Sequence, residues 1–364
     1  MIKRKRKAFG IYLAVTVLLL IVAAVLALYT GAADTDWSDL FEALIGKGGG
    51  DYYLVLRGIR FPRILGAFFV GSSLAVAGAI MQALTRNPLA DPGLLGLTSG
   101  ANIAVALVYA FAPQSSYLLV SIACFVGAGL AMLFVYGLSN ATRSGQSPLN
   151  LILIGAAVSF FFQAIADGIA IWFRISKDVS MWTSGGLMGV DWNILSITPV
   201  IGLALLLSLV FSGQLTVLSL GEETAISMGQ RTNLIRTVLI LLITLLAGSA
   251  VAIAGNLALI GLMIPHVVRK MVGQDYRKII PLCITVGGTF MILADYIGRT
   301  VVSPFEIPVV AIVSSFCSWW LSLRPCPWVI RRFRWTVSCR SCQVTGFLKK
   351  TTSFTRSACP GLWC

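Results

Sequence analysis

Residues 93–142 read GLLGLTSGANIAVALVYAFAPQSSYLLVSIACFVGAGLAMLFVYGLSNAT, 50 residues without one Asp, Glu, Lys or Arg. A helix crossing a bilayer needs about 20 predominantly apolar residues. The run is too long for one span and long enough for two. FAPQSS at 111–116 supplies the break, because proline and small polar residues punctuate helices. Two transmembrane helices, near 93–112 and 116–138, are therefore expected.

The rest of the chain follows the same pattern. Of its 364 residues 57% are hydrophobic and only 12% charged, with a mean hydropathy of +0.87. Soluble domains carry roughly 25% charged residues, so this composition excludes a soluble globular domain. The start, MIKRKRKAFG, is a basic flank ahead of a charge-free run from Ala8 to Ala33. That run exceeds the roughly 7–15 apolar residues of a signal peptide and is expected to be a first span. Further charge-free runs predict helices near 63–85, 148–171, 193–213, 234–253, 257–272, 279–298 and 306–323. The expected fold is all-α and polytopic, with about ten transmembrane helices.

Ten spans place both termini on one side. With the N-terminus in the cytoplasm, the inner loops and N-terminal flank hold thirteen Lys and Arg residues against seven outside, leaving out the C-terminal tail. The positive-inside bias favours this orientation. It also explains the net charge of +14 without a nucleic-acid partner. Arg57, Arg60 and Arg63 then form an external cluster that runs against the bias. GSSLAVAGAIMQ at 71–82 echoes GSAVAIAGNLAL at 248–259, in spans expected to run in opposite directions. Inverted repeats build many transporters, and small residues also recur wherever membrane helices pack closely.

Catalytic patterns are missing. There is no GxxxxGK[ST] phosphate loop and no HExxH, and the only histidine is His266. CRSC at 339–342 has a zinc-like spacing in an irregular context, and no metal site is expected there. Any ATP chemistry belongs to another chain. Asp167 and Asp295 sit in apolar stretches; a proton-relay role competes with solvated helix ends, and the latter is expected. SLGEETAISMGQ at 219–230 follows a charge-free run from Trp192 to Gly221. Glu222 and Glu223 suit a helix N-terminus, and Ala225, Ile226 and Met228 give a small apolar face. A short helix of this kind can dock in a partner's groove. TRNPLADP at 85–92 reads as a turn around Arg86, Asn87, Pro88 and Asp91. IPHVVRK at 264–270 reads as a hydrogen-bonded loop. Gly71, Ala75 and Gly78 are candidates for the wall of a passage.

Several long motifs, in order, carry a resemblance: IRFPRILGAFFVGSSLAVAGAIMQALTRNPLADPGLLGLTSGA at 59–101, GEETAISMG at 221–229, GNLALIGLMIPHVVRKMVG at 255–273, LADYIGRT at 293–300 and FEIP at 305–308. Over residues 10–308 the chain resembles the permeases of FecCD-type ABC importers, which take up ferric siderophores, haem and cobalamin. The resemblance implies ten helices, a homo- or heterodimer of permeases, two ATPase subunits that bind ATP and Mg, and an extracytoplasmic binding protein. It implies a ferric siderophore as cargo, with cobalamin or haem as alternatives. It also implies that Gly221, Glu222, Glu223, Ala225 and Gly229 meet the ATPase, and that Arg60, Arg63 and Arg299 receive acidic side chains of the binding protein. A rival of another class is a proton- or ion-coupled secondary transporter.

Residues 1–308 are thus expected to be the permease domain. From 309 to 364 the chain departs from the resemblance in a tail with six cysteines, eight Lys or Arg and no Asp or Glu, as an out-of-frame end would give. Residues 307–323 stay apolar enough to span.

Overall fold

The computed structural model describes residues 2–30, 54–141, 148–187, 189–257, 259–301 and 306–322. Lys47, Arg143 and the tail beyond residue 322 lie outside the described residues. The chain divides into two units, 1–314 and 315–364.

Thirteen α-helices and no strand occur among the described residues. They are α1 (Ile2–Tyr29), α2 (Phe61–Thr85), α3 (Leu97–Phe111), α4 (Tyr117–Ala141), α5 (Pro148–Trp172), α6 (Ser176–Thr183), α7 (Thr198–Val210), α8 (Ser212–Leu220), α9 (Glu222–Ser227), α10 (Thr232–Ala254), α11 (Ile260–Val272), α12 (Tyr276–Thr300) and α13 (Val309–Ser322). Six helices are long and apolar enough to cross a membrane, and α7 with α8, bent by 56°, makes a seventh as a broken span. The other three expected spans coincide with α3, α11 and α13, which have 15, 13 and 14 residues. Each is shorter than the roughly 20 residues of a straight crossing.

The break predicted at 111–116 is where α3 ends and α4 begins. Prolines start the helices where φ is already fixed, as Pro62 does in α2 and Pro199 in α7. Asp275 caps α12 by accepting from the Arg277 amide at 3.2 Å.

The core gathers around α2, which packs on α10, α11 and α12, while α3 packs on α4 and α5. These crossings rest on small residues. A Cβ on Gly71 would overlap the carbonyl of Gly287 on α12, and one on Gly78 would overlap that of Gly261 on α11. Ser72 Oγ donates to the Ile284 carbonyl at 2.8 Å across the first of these crossings. Without a hydrophobic drive between helices in lipid, such close backbone approach and interhelical hydrogen bonds supply the adhesion. Ala75 is fully buried and meets Gly287 at the same crossing. Gly71, Ala75 and Gly78, expected on a passage wall, are therefore taken up by helix packing. IPHVVRK, expected in a loop, lies inside α11 with Pro265 in the helix.

Candidate functional site

Charge collects at two places in this apolar bundle. The first joins the start of α2 to the end of α12. Arg60 belongs to a π-turn, Leu56–Arg60, that runs straight into α2, and Arg63 lies one turn further on. Asp295 and Arg299 stand four residues apart on α12, on one face. Arg63 Nε and Nη2 donate to Asp295 Oδ1 at 3.0 and 2.9 Å. Its Nη1 and Nη2 also donate to the two oxygens of Glu306, each at 3.0 Å. One planar guanidinium thus serves two carboxylates, which its fork of five donors permits. Arg299 Nε stands 3.1 Å from Asp295 Oδ2 as an ion pair without hydrogen-bond alignment. Arg60 Nη1 donates to the Leu28 carbonyl of α1 at 2.7 Å.

Among the described residues, three guanidinium groups and two carboxylates meet here. Asp295 is 1% exposed, so the expected solvated helix end is replaced by a buried counter-ion between two cations. Arg60 and Arg63, expected at an open rim, are also buried, at 4% and 7% exposure. Glu306 is the accessible member, its side chain 34% exposed.

The second place is α9. Gly221 (φ 147°) and Gly229 (φ 78°) bracket it in backbone conformations that side-chain-bearing residues rarely adopt. Glu222 lies in the first turn, and one oxygen accepts from Arg236 Nη2 of α10 at 3.0 Å. Ala225 is fully buried, and Gln230 Nε2 donates to the Gln214 carbonyl of α8 at 3.0 Å. The predicted acidic pair is therefore divided. Glu222 and Ala225 hold α9 to its neighbours, whereas Glu223, Ile226 and Met228 are exposed.

The turn after α2 matches its sequence. Arg86 takes a left-handed conformation (φ 51°) at the helix end, and Asn87 Oδ1 accepts from the Leu89 amide at 3.0 Å. Pro88 follows within the turn. Asp91 Oδ1 accepts from the Gly93 amide at 2.7 Å, starting the 3-10 turn Pro92–Leu95. No Arg86–Asp91 ion pair is found among the described residues; both act within a structural turn.

One tie has no sequence signal. Arg269 of α11 donates to Gln82 Oε1 of α2, and Gln82 Nε2 donates to the Gly261 carbonyl at 3.2 Å. His266 is half-buried on the same helix. Among the described residues no three His, Cys, Asp or Glu side chains form a metal-binding group.

A polytopic helical bundle, with a buried ion-pair cluster joining two of its helices and one glycine-bracketed surface helix, is a membrane-embedded permease in type. The chain belongs to the FecCD transport family, whose model matches residues 19–322. The match thus runs through α13, past Pro308. The chain is 41% identical over 298 residues to the iron(3+)-hydroxamate import system permease protein FhuB of Bacillus subtilis (strain 168), covering 81% of this chain and 78% of that one. It is 38% identical over 306 residues to the ferric enterobactin transport system permease protein FepD of Escherichia coli (strain K12), covering 82% and 90%. A solved metal-chelate type ABC transporter in an inward-facing conformation superposes with a TM-score of 0.75 at 28% identity, over 85% of this chain and 97% of that one. The chain is accordingly a multi-pass membrane permease and not itself an enzyme; in this family the ATPase is a separate subunit.

Proposed function

We propose that the chain is the permease subunit of an ATP-driven importer for ferric siderophores of the hydroxamate class, with both termini in the cytoplasm. A second permease subunit completes the passage, two ATPase subunits sit on the cytoplasmic side, and an extracytoplasmic binding protein delivers the cargo. The observation that carries this reading is α9. Its buried edge is locked to α8 and α10, and its exposed edge presents one carboxylate between apolar side chains. A short helix held this way moves with α10, so closure of an ATPase around it shifts a spanning helix. ATP acts only through its differing affinity for the two permease conformations. Glu223 and Ile226 form the contact surface, while Gly221, Glu222, Ala225 and Gly229 set its shape.

Docking of the binding protein falls to the Arg60–Arg63–Arg299 cluster. Arg63 already holds Glu306 by both oxygens, so an incoming carboxylate takes the place of Glu306, the exposed partner, and leaves buried Asp295 undisturbed. Likeness to FhuB supports the hydroxamate class, while other relatives are ferric citrate or enterobactin permeases by name.

Uptake of a radio-iron-labelled ferric hydroxamate is the test, in cells carrying this chain with its partner subunits. Uptake is expected for the hydroxamate and lost when the ATPase subunit is deleted. Preferential uptake of haem or cobalamin would overturn the cargo assignment.

A further inference from the structure

The two least buried spans differ chemically. Only 22% of the most apolar stretch of Phe9–Tyr29 in α1 is buried, and only 17% of that in Asn150–Trp172 in α5. Between Phe9 and Tyr29 there is no charged or amide side chain, as suits contact with hydrocarbon. The α5 stretch carries Gln163 and Asp167, one turn apart, in a hydrogen-bonded ladder. Asn102 Nδ2 of α3 donates to Gln163 Oε1 at 2.8 Å, and Gln163 Nε2 donates to Asp167 Oδ1 at 2.9 Å. Asp167 is exposed, alongside Phe160 and Ile171 on the same helix face.

Lipid is a poor neighbour for this face. A carboxylate at the centre of a span costs at least about 2.5 kcal/mol, and polar residues within spans face the bundle interior or a water-filled cavity. Gln163 lies nine residues before the end of α5 at Trp172, and Asp167 five, which is about 13 and 7 Å at the helical rise. The depth of Gln163 approaches half of a hydrocarbon core of about 30 Å, and Asp167 lies between it and the helix end.

We propose that the Asn102–Gln163–Asp167 face lines the water-filled passage and sets its charge selectivity. This rests on the importer function proposed above and adds the step that discriminates among cargoes. Three hydroxamates balance one ferric ion, so such a chelate is neutral at the metal and meets no charge repulsion from a carboxylate. Ferric citrate complexes carry negative charge, which Asp167 repels. At about 6 Å through water, one like charge changes occupancy about threefold.

Two measurements on the assembled transporter test this. In a chain whose eight native cysteines are replaced by serine, Gln163→Cys and Asp167→Cys are treated with a charged, membrane-impermeant methanethiosulfonate. Labelling at both is expected, slowed by excess ferric hydroxamate, with none at Leu18→Cys on α1. Protection of Gln163→Cys from the reagent without cargo, as lipid or a second copy covering α5 would produce, overturns the placement. The second measurement is the ratio of ferric hydroxamate to ferric citrate uptake. Asp167→Asn should lower it about threefold, and Asp167→Glu should keep it. An unchanged ratio with hydroxamate uptake intact overturns the selectivity and leaves the importer function standing. Failure of the unaltered chain to take up either chelate would instead remove the importer function on which this rests.

Discussion

Asp295 neutralises two cations at once. Replacing it with asparagine keeps the volume, removes the charge and leaves Arg63 and Arg299 facing one another in a buried place. Breaking a buried pair by removing one partner costs about 3–5 kcal/mol. Asp295→Asn should therefore lower the thermal unfolding midpoint in detergent far more than Glu306→Gln, whose half-exposed pair is worth under about 1 kcal/mol. Equal shifts would contradict the division between structural and exchangeable carboxylate. Part of this cluster was legible in the sequence, since Asp295 and Arg299 have the spacing of facing helical residues. Arg63 was not, because its partner lies 232 residues away. Read alone, three arginines near an outer boundary look like an open rim; only the packing of α2 on α12 encloses them.

The short helix α9 shows the same limit one level up. Its glycine brackets and acidic first turn announced a protruding helix, and they said nothing about which carboxylate points out. That depends on Arg236, fourteen residues later, on the face of α10 beneath it. Glu223→Lys should reduce retention of the ATPase subunit on co-purification with membrane insertion unchanged. Glu222→Lys should do so indirectly, by repelling Arg236. The exchange Glu222→Arg with Arg236→Glu should then recover coupling, whereas Glu223 has no ion-pair partner to exchange with among the described residues. If Glu222→Lys and the exchanged pair behave alike, the strut between α9 and α10 is not what holds the helix. The glycines of α2 carried a similar ambiguity: small residues marked close approach, and the approach is to Gly287 and Gly261 rather than to a passage.

Across the whole molecule, hydropathy gave the all-helical class and most spans, because each charge-free run must satisfy its backbone hydrogen bonds internally as a helix. It blurred where crossings are broken or short. α7 and α8 bend by 56° between Val210 and Ser212, and α3 and α11 end after 15 and 13 residues. The helices that carry these irregularities pack against α2 or α10. Hydropathy ranks α1 above α5, yet it shows neither that these are the two least buried spans nor what the outward face of α5 carries. A bundle held by backbone contacts between glycines deforms by rigid shifts of whole helices, which is what an external motor acting at α9 requires.

That requirement is tested most directly in sealed vesicles. The purified permease is reconstituted with and without its ATPase subunit, supplied with the binding protein and a labelled ferric hydroxamate, and given ATP or none. Accumulation is predicted only when ATPase and ATP are both present. Accumulation at the same rate by the permease alone, with or without an imposed proton gradient, would contradict the account.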